Sequence, residues 1–333
     1  MVFADVLEVR NGRNQKSVEN PNGKYPIYGS GGIMGYADSY LCDANTVIIG
    51  RKGSINNPIF VKEPFWNVDT AFGLITKKEI LLPKYLYYFC AKFDFLKLNK
   101  AVTIPSLTKS DILKIEINVP NIKKQQKIVS ILDTLQSIIT HRRTQLEKLD
   151  LLVKARFVEM FVGKEYPIMT WNEVFDTTTG KLDSNAMDEG GIYPFFTCAK
   201  EALRINTYAF DEEALLLAGN NAAGKYDVKY YNGKFNAYQR TYVLTLKQKW
   251  SYALFKCQLE KKLDYLQQQS LGGLTKYLTL KILSELKFIV PPFELQTQFA
   301  DFVNQVDKSR VAVQKALDEA QLLFDSLMQE YFG

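Results

Sequence analysis

The sequence repeats itself after about 170 residues, and no other feature constrains its fold as strongly. Trp171-Asn172-Glu173-Val174-Phe175 follows Phe3-Ala4-Asp5-Val6-Leu7 at a spacing of 168 residues, and Val290-Pro291 follows Val119-Pro120 at a spacing of 171. Solenoid repeats have periods of roughly 20–50 residues, so a period this long indicates a duplicated domain. We therefore expect two equivalent halves, which favours the recognition of two equivalent targets.

The length and composition are those of an ordinary globular protein with at least two domains. The chain has 333 residues, of which 47% are hydrophobic, so a sizeable core can form. Asp5, Glu8 and Arg10 interrupt the first ten residues, which argues against a secretory signal peptide. Because the sequence has no run of about 18 apolar residues, we expect no membrane span. The sequence thus predicts a cytoplasmic protein without a membrane partner.

Cysteine and histidine are used too sparsely to suggest a metal site. Cys42, Cys90, Cys198 and Cys257 lie far apart and form no C-x-x-C pair, so we predict reduced thiols that pack as small hydrophobic side chains. His141 is the only histidine of the sequence, and it lies in a strongly helical stretch where a solvated helix face is its expected place. We expect neither a bound metal nor a cofactor.

Two long amphipathic segments predict long helices at residues 125–161 and 296–332. Pro120 precedes the first segment and Gly163 follows it, as is typical of helix limits. Each segment has about 37 residues and would span roughly 55 Å. Their apolar residues recur with the alternating spacing of a coiled-coil seam. The seam residues are Ile128, Leu132, Leu135, Ile139, Leu146, Leu149 and Val153 in the first helix, and Phe299, Val303, Val306, Val313, Leu317 and Phe324 in the second.

The charges of the two helices favour pairing with each other rather than with a second copy of themselves. Residues 125–161 carry a net charge of +2, and residues 296–332 carry −3. In an antiparallel pair, Arg142 and Arg310 would each face an apolar residue of the other helix. Each arginine then either extends its guanidinium past that apolar residue into solvent or fixes the register of the two helices. The sequence thus predicts an antiparallel coiled coil.

The segments outside the helices have the features of two α+β globules with mixed β-sheets. Short apolar runs such as Thr46-Val47-Ile48-Ile49 and Tyr242-Val243-Leu244-Thr245 are typical of strands, and turn sequences such as Asn22-Gly23 separate them. The predicted boundaries of the globules and the helices divide the chain into residues 1–124, 125–163, 164–295 and 296–333.

Sequence motifs of the common catalytic sites are absent or incomplete. No G-x-x-x-x-G-K-[ST] phosphate loop occurs, and Gly50-Arg51-Lys52-Gly53-Ser54 matches it only in composition. Val290-Pro291-Pro292-Phe293 superficially resembles the Asn/Asp-Pro-Pro-Tyr/Phe loop of amino-methyltransferases. That loop needs a polar first residue to hydrogen-bond the target amino group, and valine cannot do so. We therefore expect no catalytic residues in this chain.

Polar loops flanked by aromatic residues are better candidates for a functional site. Glycines let the backbone approach a phosphate, and lysines supply positive charge. Arginine can bind guanine, and asparagine or glutamine can bind adenine, through paired hydrogen bonds. Ordinary turns with solvated charges are the alternative interpretation, but the loops fall at matching places in the two repeats. The candidate DNA-binding residues are Tyr28, Ser30, Arg51, Lys52, Ser54, Thr108 and Lys109 in the first half, and Asn220, Asn221, Lys225, Gln239, Arg240 and Lys276 in the second.

Several segments carry the likeness of one protein family. They are residues 23–32, 47–54, 66–72 and 125–129 in the first half and residues 291–296 in the second. On these residues the chain resembles, over essentially its whole length, the DNA-specificity subunit of Type I restriction–modification enzymes. The second globule departs more, since Gly219-Asn220-Asn221 stands where the first has Gly50-Arg51-Lys52. In such a family, this is where the choice of target would change.

The resemblance implies two target-recognition domains, each reading half of a bipartite site in double-stranded DNA. It implies that the long helices form an antiparallel coiled coil with pseudo-twofold symmetry, which holds the domains apart. Two copies of a DNA-methyltransferase subunit would dock on the chain, restriction (motor–nuclease) subunits could join them, and the chain itself would be non-catalytic. A rod of roughly 55 Å corresponds to about 16 bp of duplex, so the helices would set the length of the unread spacer.

Two other functions remain open from the sequence. Residues 1–124 carry a net charge of +6, which suits a polyanion, but residues 162–295 carry only +1. The main alternative is therefore a coiled-coil scaffold that joins protein partners without reading DNA. A free-standing methyltransferase or nuclease is a second alternative, which the incomplete motifs disfavour.

Overall fold

Two compact units make up the chain. The computed structural model describes residues 1–101, 103–222 and 224–333. The first unit contains residues 1–144 together with residues 314–333, and the second contains residues 145–313. Each unit therefore holds one α+β globule and the parts of both long helices that pack on it.

The first unit begins with a short helix and continues with strands and then helices. Its elements are α1 (Phe3–Val6), β1 (Leu7–Asn11), β2 (Tyr25–Gly29), β3 (Gly32–Ala37), β4 (Thr46–Gly50), β5 (Ile59–Val61), β6 (Trp66–Asn67), β7 (Ala71–Thr76), α2 (Pro83–Lys92) and α3 (Lys109–Ile112), followed by the long helix α4 (Ile122–Phe161). α2 begins with a proline, whose fixed φ suits the first position of a helix.

The strands of the first unit form one antiparallel sheet and one mixed sheet, and the mixed sheet agrees with the prediction. β1, β7, β4 and β5 form an antiparallel sheet in that order, whereas β3, β2 and β6 form another sheet in which β2 and β6 run parallel. Every residue of β4 is buried, as a continuous apolar run indicates for an interior strand. The main core of this unit contains Phe3, Phe72, Tyr85 and Phe95.

The second unit repeats most of this order, and two of its strands, of 9 and 10 residues, are longer than any strand of the first unit. Its elements are β8 (Ile168–Thr170), α5 (Trp171–Val174), β9 (Phe175–Thr179), β10 (Tyr193–Phe196), β11 (Leu203–Ile205), β12 (Phe210–Ala218), β13 (Asn220–Asn221), β14 (Val228–Ala237), β15 (Thr241–Leu246), α6 (Tyr252–Glu260), α7 (Leu263–Gln269), β16 (Lys276–Tyr277), α8 (Leu280–Ser284) and β17 (Lys287–Ile289), followed by the long helix α9 (Phe293–Phe332). A capping box starts α5, since the Thr170 N–H donates to the Glu173 carboxylate at 2.7 Å.

The two units share one topology. β9, β15 and β12 neighbour one another in the same order as β1, β7 and β4. β10 pairs in parallel with β14, as β2 does with β6. Gly12 and Gly180 occupy equivalent tight places, because a Cβ on either would lie 1.8 Å from a backbone carbonyl oxygen, that of Val68 or Ala237. The duplication predicted from the sequence is thus present in the fold.

Both long helices have 40 residues and begin three residues earlier than predicted. Asn121 caps α4 through its side chain. The residues predicted to start the helices, Gln125 and Gln296, are instead buried within the first turns. The Gln125 side chain accepts the Leu82 N–H at 2.9 Å, and the Gln296 side chain accepts the Ser251 N–H at 3.0 Å. Each glutamine thus ties a long helix to the start of α2 or α6.

The predicted coiled-coil seam lies against the interior of each unit. In the second unit, the Phe299 ring near the start of α9 packs edge-on against Phe157 near the end of α4. In the first unit, Ile128 near the start of α4 and Met328 near the end of α9 belong to the same core, so the helices run antiparallel. The seam residues Ile128, Leu132, Leu135, Ile139, Phe299, Val306 and Val313 are buried, and Leu146, Leu149, Val153, Val303, Leu317 and Phe324 are half-buried.

One seam arginine differs from the expectation that it would face an apolar partner. The Arg310 guanidinium donates to the Asp150 carboxylate of α4 and, at 3.4 Å, to Asp307 of its own helix. The two charged groups on different helices attract each other only when the helices are in this register. The ion pair therefore favours the register role of Arg310 over simple extension into solvent.

Cys42, Cys90 and Cys257 are buried, as predicted, whereas Cys198 is only half-buried. Desolvation by burial raises the pKa of the Cys42 thiol to about 12 and that of Cys257 to about 11, which keeps both protonated and unreactive.

His141 is exposed on α4, as predicted. Among the residues that the structure describes, no group of three or more His, Cys, Asp or Glu side chains could hold a metal ion. None of the described helices is both long and apolar enough to cross a membrane.

Candidate nucleic-acid interface

The candidate residues of the first unit converge on the loop that follows β4. The Leu107 N–H donates to Arg51 O at 2.9 Å, and the Gly53 N–H donates to Pro105 O at 3.0 Å. These two backbone hydrogen bonds hold the loop after β4 against the segment that leads into α3. The sequence separation between the two segments is more than 50 residues, so the fold rather than local sequence creates this surface.

Gly53 brings a third segment to the same place. Its φ is +82°, in the left-handed region that favours glycine. A Cβ on Gly53 would lie 3.7 Å from Ser30 Oγ, so the two residues are neighbours. The structure therefore brings Ser30, Arg51, Lys52 and Ser54 together, with Lys52 and Ser54 exposed.

Arg51 is half-buried and held from two sides. Its backbone N–H donates to Thr70 O at 2.8 Å. Its guanidinium lies over the ring of Phe72, 5.7 Å from the centroid, and its Nη1 is 3.5 Å from Asp69 O, which is the outer limit for a hydrogen bond. A guanidinium that is already partly ordered loses less conformational entropy when it binds a guanine edge or a phosphate.

Two of the three remaining candidates of the first unit, Tyr28 and Thr108, have structural partners. Tyr28 is half-buried with its ring against Phe65, and desolvation by burial raises the pKa of its hydroxyl. Thr108 caps α3, because its Oγ1 accepts the Asp111 N–H at 3.1 Å and donates to the Asp111 carboxylate at 2.8 Å. Lys109 is exposed at the first position of that helix. Of Thr108 and Lys109, Lys109 is the residue whose side chain can reach a phosphate.

The second unit builds the same loop pairing after β12. The Leu278 N–H donates to Gly219 O at 2.8 Å, and this bond resembles the one from Leu107 to Arg51 in the first unit, although Gly219 stands where the first unit has Gly50. Thr279 then caps α8, as Thr108 caps α3. The loops that match in the sequence therefore also match in the structure.

Asn220 and Asn221 lie on the strand β13 at the centre of this pairing. β13 runs antiparallel to β16, which places Asn221 opposite Lys276. The Cys198 thiol donates to Asn220 Oδ1 at 2.8 Å and so orients that amide. Two carboxamides and an ammonium group thus occupy the place that Arg51 and its neighbours fill in the first unit.

The other candidates of the second unit lie around this strand. Arg240 is exposed, and its carbonyl oxygen accepts the Gly219 N–H at 2.7 Å, which places it beside the loop after β12. Gln239 is also exposed, but its amide donates to the Asp183 carboxylate at 2.9 Å. Lys225 is exposed. Arg240 and Lys225 are therefore the more exposed of the charged candidates in this unit.

Two residues of these loops were not among the candidates, although the structure exposes them. Leu274 is 97% exposed, and Ile104 is 60% exposed. Both are aliphatic, so a search for basic and amide side chains passes over them. The signal that could have found Leu274 is its place after Gly272-Gly273, because an apolar residue in a glycine turn has little chance to join a core.

A family model described as "Type I restriction modification DNA specificity domain" matches the chain twice. The matches cover residues 2–149 and residues 163–320. Each includes one globule and part of the long helix that follows it. The two matches correspond to the two copies of the duplicated fold.

Relatives with similar sequences are specificity subunits of type I restriction enzymes. The EcoDI specificity subunit from Escherichia coli is 37% identical over 148 residues, which is 43% of this chain and 32% of that protein. The putative type I specificity subunit S.MpnORF365P from Mycoplasma pneumoniae is 29% identical over 222 residues, which is 63% of this chain and 82% of that protein. The chain thus matches about a third of the length of the E. coli relative.

Two solved structures share the fold. The S subunit of the type I restriction–modification system from M. genitalium has a TM-score of 0.75 at 18% identity, over 100% of this chain and 95% of that one. A chain from a study of complex assembly and conformational transition of the type I system has a TM-score of 0.56 at 16% identity, over 100% of this chain and 96% of that one. With two family-model matches that span most of its length, the chain belongs to the family of type I restriction–modification DNA specificity subunits.

Proposed function

We propose that the chain reads a bipartite site in double-stranded DNA, with one half-site for each recognition domain. The observation that carries this proposal is the loop pairing that the chain builds twice, once after β4 and once after β12. Recognition of a DNA target is the role of the family. A duplicated surface within one chain gives a physical reason for two half-sites rather than one.

The two surfaces would read different bases because they carry different side chains. Arg51 suits the O6 and N7 acceptors of guanine, whereas Asn220 and Asn221 suit the donor and acceptor pair of adenine. Exposed lysines such as Lys52 and Lys109 would bind phosphates, which fix orientation without reading sequence. The half-sites would therefore differ in sequence, and the length of the long helices would set the unread spacer between them.

We further propose that two copies of a DNA-methyltransferase subunit dock on the chain and supply the chemistry. Support comes from exposed leucine pairs that recur at the 171-residue spacing, Leu151-Leu152 on α4 and Leu322-Leu323 on α9. Exposed apolar groups at equivalent positions suit two identical partners. Restriction subunits could join this complex. The chain itself would be non-catalytic, and the complex would act on DNA in the cytoplasm.

Substitutions in the loop after β4 should separate base reading from phosphate binding. Arg51→Ala is expected to weaken binding to the selected target by about 1–3 kcal/mol and to relax the preference at one base pair, because a base-edge contact is lost. Lys52→Ala should weaken binding to all sequences alike and lower the salt dependence by about one phosphate contact. The measurement is a mobility shift between about 50 and 200 mM salt, with the full chain in complex with its methyltransferase subunits.

The duplex for this experiment is the one that the complex enriches from a random pool. Lys148→Ala is the matched control, since Lys148 is an exposed lysine of α4 outside the candidate loops, and it should change neither affinity nor salt dependence. Failure to enrich any sequence, together with binding that does not respond to salt, would contradict DNA reading. That result would favour the coiled-coil scaffold, for which the low net charge of residues 162–295 is the supporting observation.

A further inference from the structure

An exposed aliphatic side chain stands at the tip of the equivalent loop in each recognition domain. In the second domain, Leu271 and Tyr277 exchange backbone hydrogen bonds of 3.0 and 2.9 Å, which close a hairpin. Gly272 turns the chain within it at a φ of +101°, where a Cβ would lie 2.2 Å from Thr275 O. Leu274 lies in this tight turn with 97% of its surface exposed. The hairpin therefore holds the side chain out into solvent.

Both tips lie two residues before a residue that pairs with a candidate DNA-binding loop. Two residues after Ile104, Ser106 pairs with Lys52 in the loop after β4. Two residues after Leu274, Lys276 pairs with β13 in the loop after β12. Each apolar tip thus stands beside a lysine of its own domain, on a segment that backbone hydrogen bonds fix to the proposed reading surface.

The fold does not account for these side chains. An apolar group stabilises a protein when it leaves water, and side chains this exposed contribute little in that way. A single exposed leucine is ordinary on a protein surface. An exposed aliphatic side chain in the equivalent loop of both copies of a duplicated domain, next to basic residues, indicates that a bound partner removes these side chains from water.

We propose that Leu274 and Ile104 each insert, as a wedge, between the two base pairs of one step in their own half-site. This inference rests on the proposed function. Apolar side chains that insert between base pairs unstack the step and bend the duplex. The neighbouring Lys276 and Lys52 would hold phosphates beside the opened step. Pyrimidine–purine steps unstack with the least energy, so each wedge would select such a step without a hydrogen bond to a base.

The test uses the full chain in complex with its methyltransferase subunits, bound to the duplex that the complex enriches from a random pool. The fluorescent base 2-aminopurine replaces each purine of the target in turn, and its emission rises when the base is unstacked. We expect a rise at one step in each half-site. Leu274→Ala should abolish the rise in one half-site and weaken binding on the order of tenfold, and Ile104→Ala should do the same in the other.

Two further variants serve as controls, and one further source of fluorescence must be distinguished from the expected signal. Leu274→Met keeps a long apolar side chain and should retain both the rise and the affinity. Leu280→Ala, which truncates a leucine of α8 that is 56% exposed, should change neither. A base that a methyltransferase subunit extrudes would also fluoresce, but this signal should persist in the Leu274→Ala complex.

The outcomes separate this proposal from the one on which it rests. If the complex enriches a sequence but no stacked step responds to Leu274→Ala or Ile104→Ala, the wedges are overturned and DNA reading stands. If the complex enriches no sequence, DNA reading fails and the wedges fail with it. If Leu274→Ala releases the methyltransferase subunits and leaves the fluorescence of the bound duplex unchanged, the tip contacts protein rather than DNA.

Discussion

Phe299→Ala is expected to lower the free energy of unfolding by about 3–5 kcal/mol. The Phe299 side chain is fully buried, and its ring centroid lies 5.9 Å from that of Phe157 and 5.6 Å from that of Phe161. Truncation loses the transfer energy of the ring and leaves a cavity where three aromatic rings meet. Because these rings join the start of α9 to the end of α4, the loss should be large for a single substitution.

Urea unfolding of the full chain, followed by circular dichroism, measures this effect. Phe293→Ala is the matched control, since it removes the same ring from the same helix at a site that is 54% exposed. The control should cost less than about 1 kcal/mol. Equal losses in the two variants would contradict the packing that we describe for the helix pair.

Gly12→Ala and Gly180→Ala are each expected to lower the free energy of unfolding by about 3 kcal/mol or more. A Cβ at either site would lie 1.8 Å from a carbonyl oxygen of the neighbouring backbone. A backbone oxygen cannot move aside as a flexible side chain can, so the two neighbouring backbone segments must separate. Such overpacking lies at the upper end of the usual range for core substitutions.

Thermal unfolding of the two variants tests this prediction, with Gly31→Ala and Gly273→Ala as controls. A Cβ at either control site meets no atom within 4 Å, so each should stay within about 0.5 kcal/mol of the parent. Because Gly12 and Gly180 belong to different copies of the repeat, both should be sensitive. Tolerance of alanine at one of them would show that the two units are less alike than the fold indicates.

The duplication, the α+β class and the long helices could all be predicted from the sequence, because each leaves a pattern along the chain. The helix seam follows a spacing of three and four residues, and interior strands such as β4 appear as continuous apolar runs. The helix starts were wrong by three residues because Gln125 and Gln296 are polar residues that the fold buries. Their side-chain oxygens accept from backbone N–H groups more than 40 residues away, which no local pattern reveals.

The sequence could not predict which charged or polar groups pair with each other when they lie far apart in the chain. The seam position of Arg310 was visible, but its carboxylate partner Asp150 lies 160 residues away in the chain and depends on the register of the two helices. Among the site candidates, Thr108 was chosen for its polar loop, yet its hydroxyl serves as a helix cap. A side chain's hydrogen-bond partners decide whether it is available to a ligand, and those partners come from the tertiary fold.

The convergence of the loops could be predicted only in part. Matching positions in the two repeats indicated that the loops after β4 and β12 are equivalent, but not that each is hydrogen-bonded to the segment before α3 or α8. Leu274 and Ile104 were overlooked because residue chemistry alone assigns aliphatic side chains to a core. Their exposure is a property of the turn that carries them.

The central claim is that each recognition domain reads its own half of the target. The most direct test exchanges residues 1–124 for the corresponding domain of a relative with a different target and sequences the methylated sites of cells that carry the hybrid complex. We predict that one half-site changes to that of the relative, while the other half-site and the spacer length stay the same. A change in both half-sites, or in neither, would contradict the claim.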